Sequence, residues 1–129
     1  MSEDNAAVIA GVYEAFGRGD IPAMLEMLDE GITWRAPENL PHGGDFSGRD
    51  GVARFFQGLG ERWDGLVVES EGVVSEGDRV VVLSRVRGTF RATGEDTGYS
   101  SAHVWTLRDG SPVRFDEYVD APTTLPAAG

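Results

Sequence analysis

The sequence predicts an α+β domain, with helices packed on one face of a curved antiparallel sheet and a pocket between the two layers. Three observations carry that expectation. Apolar residues recur at helical spacing in the first half of the chain, at Val8, Ile9, Val12, Tyr13 and Phe16, and again at Val52, Phe55, Phe56, Leu59 and Trp63. The second half is a series of β-branched and aromatic runs separated by short Gly and Asp turns. Finally, 129 residues make one domain, and no repeat or linker divides them.

Each element has its own local cause. "GRGD" ends the first helix, and Asp20 can cap a short second one with Pro22 in its first turn. Ile21, Met24, Leu25 and Leu28 give that helix its apolar side, and Gly31 is expected to stop it. "ITW" reads as a short strand. "APENLPHGGDFSG" is rich in Pro and Gly and reads as a long loop. "RDGVARFFQGLGERW" forms a third helix, weakened towards its end by Gly58 and Gly60. Consecutive hairpins follow through "GLVVESEGVVS", "RVVVLSRVRGTFRA", "YSSAHVWTL" and "SPVRFDEYVD". The terminal stretch 121–129, "APTTLPAAG", is expected to be a flexible tail.

Composition excludes several function classes. The net charge is −11 and all basic residues are arginine, so nucleic acid and anionic membrane surfaces are poor partners. Cysteine is absent, which removes disulfides, thiolate nucleophiles and cysteine metal sites. His42, Asp45 and His103 lack metal-ligand spacing, and no Gly-Lys-Ser/Thr phosphate loop occurs, so neither metal nor cofactor is expected. The acidic start lacks a signal-peptide pattern, and no apolar run approaches the ~20 residues of a membrane span. A cytoplasmic protein is the expectation.

Strand parity selects the residues that face the pocket. Tyr99, Ser101, His103, Trp105 and Leu107 share one face of their strand, and Val113, Phe115, Glu117 and Val119 share one face of the last. The bulky apolar residues mark these faces as inward. Arg114, Asp116, Tyr118 and Asp120 then point outward. A three-residue loop over Asp109, Gly110 and Ser111 would set His103 opposite Glu117 and Trp105 opposite Phe115. Directly opposed side chains start roughly 5 Å apart, so imidazole and carboxylate can meet. On the preceding strand Val80, Val82, Ser84 and Val86 point inward, and Arg85 and Arg87 share the outer face with Asp116. The apolar outer positions Val81, Leu83, Val104 and Tyr118 suggest a homodimer through the outer sheet face.

The pieces "YEAFGRGDIPAMLEMLDEGITW", "FSGRDGVARFF" and "LRDGSPVRFDEYVD", in this order, resemble the SnoaL-like branch of the NTF2-like superfamily. That group includes ketosteroid isomerases, polyketide cyclases and limonene epoxide hydrolases. The resemblance implies an α+β cone over nearly the whole chain, with a central pocket and dimerisation through the sheet. It also implies where family sites fall. The ketosteroid isomerase base falls on Ala36, its oxyanion-hole tyrosine near Val12 with Tyr13 one residue off, and its protonated aspartic acid on His103. The epoxide-hydrolase arginine and aspartate fall on Ser84 and Val86, its second aspartate on Glu117, and its water-holding residues on Trp34 and Ala36. Neither strict activity is implied. One histidine and one acid remain at functional positions.

His103 and Glu117 are therefore the candidate catalytic pair, able to exchange a proton near neutral pH. Two assignments stay open: Glu117 as base with His103 donating to an oxyanion, or His103 as base with Glu117 orienting it. A buried pair that merely satisfies itself is the bland alternative. Trp34, Tyr99, Trp105 and Phe115 would line the pocket with aromatic surface, and Tyr13 can donate a hydrogen bond into it. His42 is expected to be a solvated loop residue. The expected function is acid–base chemistry (cyclisation, isomerisation, dehydration or hydrolysis) on a hydrophobic carbonyl, polyketide-like, terpenoid or epoxide molecule. The rival is a non-catalytic ligand-binding or dimerisation module.

Overall fold

The computed structural model describes residues 2–38, 40 and 42–119. Asp120 and the 121–129 tail lie outside the described residues. The elements run α1 (Ser2–Gly17), α2 (Ile21–Glu26), β1 (Thr33–Ala36), β2 (Gly44–Ser47), α3 (Gly48–Arg62), β3 (Trp63–Glu76), β4 (Arg79–Phe90), β5 (Glu95–Arg108) and β6 (Ser111–Val119). The fold is the expected α+β cone: three helices against the inner face of a curved, unclosed sheet of six strands.

Asp20 caps α2, its carboxylate accepting from the Ala23 amide at 3.2 Å. The helix stops at Glu26, short of Gly31. Met27 and Leu28 tighten the last turn onto carbonyls three residues back, and the Asp29 amide donates to the Pro112 carbonyl of β6 at 2.9 Å. A contact with a distant strand, not a local glycine, ends the helical segment.

The sheet order is β2-β1-β6-β5-β4-β3. From β3 to β6 it is the expected antiparallel meander, with Gly77-Asp78 turning β3 into β4. Two features depart from expectation. The loop before α3 contains β2, a hairpin partner of β1 with Ala36 opposite Gly44. With four residues and one aromatic, Phe46, it is too short to show a period of two. Second, β1 pairs in parallel with β6, setting Trp34 opposite Phe115. The sheet is therefore mixed.

Parity holds on β4 and β5: Val80, Val82, Ser84 and Val86 are buried, as are Tyr99, Ser101, His103 and Trp105, with α1 packed against β3 and β4, and α3 against β1, β2 and β3. On β6 it needs one correction. A two-residue turn, Asp109-Gly110, with φ of 51° and 79°, joins paired Arg108 and Ser111, replacing the expected three-residue loop. That turn alone would shift the register by one. A bulge then inserts Val113 between Pro112, opposite Leu107, and Arg114, opposite Thr106. Pro112 consequently takes the buried position expected for Val113, which is half-buried. Beyond the bulge the register is the expected one, and His103 faces Glu117.

On the outer face, Asp116 is paired by Arg114 at 2.8 Å rather than by Arg85 or Arg87, and Arg87 instead meets Glu69 at 2.9 Å. Leu83 and Tyr118 are exposed there, at 46% and 62% of their full surface. Among the described residues no helix is long and apolar enough to cross a membrane.

Candidate active site

The helices close over the inner face of β4, β5 and β6 and leave a cavity of about 60 Å³, counted as room open to the centre of a water molecule. By that measure one water needs roughly 10–15 Å³, so several waters or one small flat molecule fit. Its wall is mostly apolar: Val12 and Met24 from the first two helices, Phe55 and Leu59 from α3, Val86 from β4. Half-buried Phe16, Phe56, Leu66 and Val68, from α1, α3 and β3, complete the apolar lining. Polar groups enter at Tyr13, His42, Tyr99, His103 and Glu117.

Three of them join in one hydrogen-bond chain. Tyr13, on the inward side of α1, has its hydroxyl 2.6 Å from Nδ1 of His103. The same hydroxyl accepts from the indole Nε1–H of Trp105 at 3.0 Å. Nε2 of His103 lies 3.3 Å from Oε2 of Glu117, and Ser101 Oγ donates to that same oxygen at 2.7 Å. Glu117 lines the cavity, and both of its side-chain bonds fall on Oε2, which leaves Oε1 without a hydrogen bond among the described residues. Ser84 Oγ donates to the Ser101 carbonyl at 3.3 Å and lies 3.5 Å from Nε2 of His103.

Aromatic packing fixes the chain in place. Trp34 stacks on Phe115 with ring centres 3.9 Å apart, a contact made by the β1–β6 pairing. Trp105 meets Phe115 edge-on at 4.7 Å, and the Tyr13 and His103 rings are nearly coplanar in orientation, 9° apart.

Burial pushes the Tyr13 and Tyr99 hydroxyls above their ordinary value of 10.0, with the Glu117 charge adding to it. Both are therefore neutral hydrogen-bond donors at pH 7. Burial also works to raise the Glu117 carboxyl, but the hydrogen bond and charge of His103 and the Ser101 bond outweigh it. The carboxyl is held below its ordinary 4.5. The site thus favours the carboxylate form of Glu117.

The structure brings together seven of the pocket and catalytic residues read from sequence, Tyr13, Trp34, Val86, Tyr99, His103, Trp105 and Phe115, with Glu117 as the eighth. Ser84, Ser101 and Val119 are corrections. The two serines are buried but do not line the cavity, because they stand behind His103 and Glu117 as hydrogen-bond supports. Val119 packs half-buried against the core.

His42 is the residue that sequence reasoning misplaced. It is 5% exposed and lines the cavity, 3.3 Å by Nε2 from the Tyr99 hydroxyl. The loop folds tightly enough that a Cβ on Gly43 would sit 1.7 Å from the Pro37 carbonyl oxygen, so only glycine permits the fold. The Gly43-Gly44 pair directly after His42 was the available signal. Burial lowers the His42 imidazole to about 4, aided by the nearby Arg62 cation and opposed by Glu117, so it is neutral at pH 7.

The family profile described as the SnoaL-like domain matches residues 9–115, most of the chain. The chain belongs to the SnoaL-like family. No curated protein matches it. Among solved structures, this SnoaL-like domain is similar to an NTF2-like protein from Burkholderia thailandensis: 30% identity, TM-score 0.87, covering 98% of this chain and 99% of that one. It is similar to an NTF2-like protein of unknown function from Burkholderia pseudomallei at 28% identity and TM-score 0.86, covering 96% and 95%. It is also similar to TerC, crystallised with polyporic acid, at 26% identity and TM-score 0.83, covering 94% and 95%. A putative SnoaL-like polyketide cyclase from Jannaschia sp. CCS1, 21% identical over 96% and 90% of the chains, shares the fold at TM-score 0.80.

Proposed function

We propose that this SnoaL-like domain is a small acid–base enzyme that moves a proton next to a carbonyl of a flat, hydrophobic molecule. One observation carries the reading: the chain Trp105–Tyr13–His103–Glu117–Ser101, set in an otherwise apolar cavity. The TerC structure with polyporic acid supports a small organic ligand.

The donor count supports one set of roles. A tyrosine hydroxyl has one proton to give and two lone pairs. Trp105 fills one lone pair of Tyr13. When His103 carries two protons, Nε2–H donates to Glu117 and Nδ1–H fills the second lone pair of Tyr13. The Tyr13 proton is then free for a substrate oxygen. Glu117 takes the proton on the carbon beside the carbonyl through Oε1, and the enolate oxygen is held by Tyr13 O–H. Isomerisation follows if Glu117 returns the proton to a different carbon. Ring closure follows if the enolate carbon attacks a second carbonyl, whose alkoxide takes the proton from Glu117. Of the two assignments left open by sequence, this makes Glu117 the base. Dehydration and hydrolysis draw on the same donors. All these groups belong to the chain itself, so the chemistry calls for no cofactor.

The reading is of a cytoplasmic homodimer, paired through the outer face that carries Leu83 and Tyr118. Deuterium exchange at the acidic carbon of 2-tetralone, followed by NMR in D₂O, tests the activity. The wild type is expected to catalyse exchange and Glu117→Gln to lose it while still binding the enol mimic 2-naphthol. No exchange above buffer with the wild type, with 2-naphthol still bound, would favour the non-catalytic binding module.

A further inference from the structure

A second polar station stands in the cavity apart from the Tyr13–His103 chain. His42 and Tyr99 face each other there, 3.3 Å apart between Nε2 and the hydroxyl, their rings 6.4 Å apart and tilted by 30°. Both are buried and both line the cavity. Their hydrogen-bonding capacity is not used up. Nδ1 of His42 is buried and has no partner, and the same is true of Nε1 of Trp34 on the same lining. A buried polar nitrogen left without a partner is costly, and two of them fall on residues of this one cavity lining. Nδ1 itself has no open surface, so the pair meets the cavity through the Tyr99 hydroxyl. With Nε2–H donating to Tyr99, the hydroxyl proton is spare for a ligand oxygen; with Tyr99 O–H donating to Nε2, the hydroxyl keeps a lone pair that can accept. The pair is uncharged at pH 7, which suits a neutral oxygen rather than an anion.

Position gives the spacing. Tyr99 and His103 share the inner face of β5 four residues apart, which is roughly 13 Å along a strand. Each station reaches its ligand oxygen across ~3 Å. The two stations therefore meet the cavity at separate ends, an arrangement that suits a fused two-ring system with an oxygen at each end.

We propose that His42 and Tyr99 form a second subsite that binds an oxygen at the far end of the ligand from Tyr13, so the cavity selects flat molecules with hydroxyl or carbonyl groups at both ends. The inference rests on the acid–base reading for the first end and adds the specificity of the second.

Calorimetric titration with 2-naphthol and 2,6-dihydroxynaphthalene tests it. The wild type is expected to bind the dihydroxy compound roughly fivefold to tenfold more tightly, the worth of one added hydrogen bond. Tyr99→Phe is expected to bring the two affinities within about twofold, whereas Tyr13→Phe weakens both ligands alike and keeps the preference. In wild-type protein with ¹⁵N-labelled histidine, the His42 ring signals should shift with the dihydroxy ligand and stay in place with 2-naphthol. Equal affinities, or a preference that survives Tyr99→Phe, would overturn the second subsite alone. Failure of both compounds to bind the wild type would overturn the acid–base reading with it, because 2-naphthol asks only for the cavity and Tyr13.

Discussion

Tyr13 Oη lies 2.6 Å from Nδ1 of His103, so the hydrogen bond between a helix residue and a strand residue can run in either direction. Its direction decides whether the Tyr13 proton is free for a ligand. Tyr13→Phe removes that choice and also strands the Trp105 indole N–H, which is buried with its ring at 2% exposure. The substitution is expected to cost about 1–3 kcal/mol in urea unfolding and to slow 2-tetralone exchange by ten- to a hundredfold. Unchanged exchange would remove Tyr13 from the mechanism.

Much of this was legible in the sequence, for local reasons. The alternation of strand faces put His103 and Glu117 on the inner side, a turn register reached by the wrong loop length set them opposite each other, and helical spacing placed Tyr13. What stayed hidden was non-local. The parallel β1–β6 contact, which stacks Trp34 on Phe115, joins segments with no turn between them. The burial of His42 depends on a loop closure that hydropathy does not report. The serines were assigned to the right face but to the wrong depth, because parity gives direction and not distance from the cavity.

Glu117 contributes a pH signature. Its folded carboxyl lies below the ordinary 4.5, so the folded state favours the carboxylate. The resulting stability is fully present above pH 4.5 and is lost as pH falls through the lower folded value. Glu117→Gln should flatten that limb in urea midpoints taken from about pH 3 to pH 6. An unaltered acid limb would show that Glu117 is not held ionised by His103 and Ser101. The same variant should slow 2-tetralone exchange by at least a hundredfold.

His42 acts over a higher range. Its imidazole is lowered from 6.5 to about 4, so the unfolded chain takes up a proton that the folded chain refuses. Stability is full above pH 6.5 and declines as pH falls towards about 4. The difference is on the order of 3 kcal/mol. Chemical denaturation of His42→Gln should show little of this decline between pH 6.5 and pH 5, where the wild type loses stability steadily. A wild type with flat stability over that interval would place His42 in solvent.

The outer sheet face makes a prediction about assembly. Leu83 and Tyr118 are exposed among half-buried Val81, Ala102 and Val104. Sedimentation velocity is expected to give a dimer for the wild type and a monomer for the Leu83→Glu, Tyr118→Glu double variant, since two carboxylates would be buried against their symmetry mates. A monomeric wild type at tens of micromolar would end the dimer reading.

The bulge at Val113 and the turn before it are coupled in length. A hairpin turn of odd length and a straight strand, or one of even length and a bulged strand, deliver the same pair of side chains to the same cavity. Insertion of a single glycine between Asp109 and Gly110 should therefore be tolerated best when Val113 is deleted with it. The hairpin holds its register through the combined length of two neighbouring features, so either can change only if the other compensates.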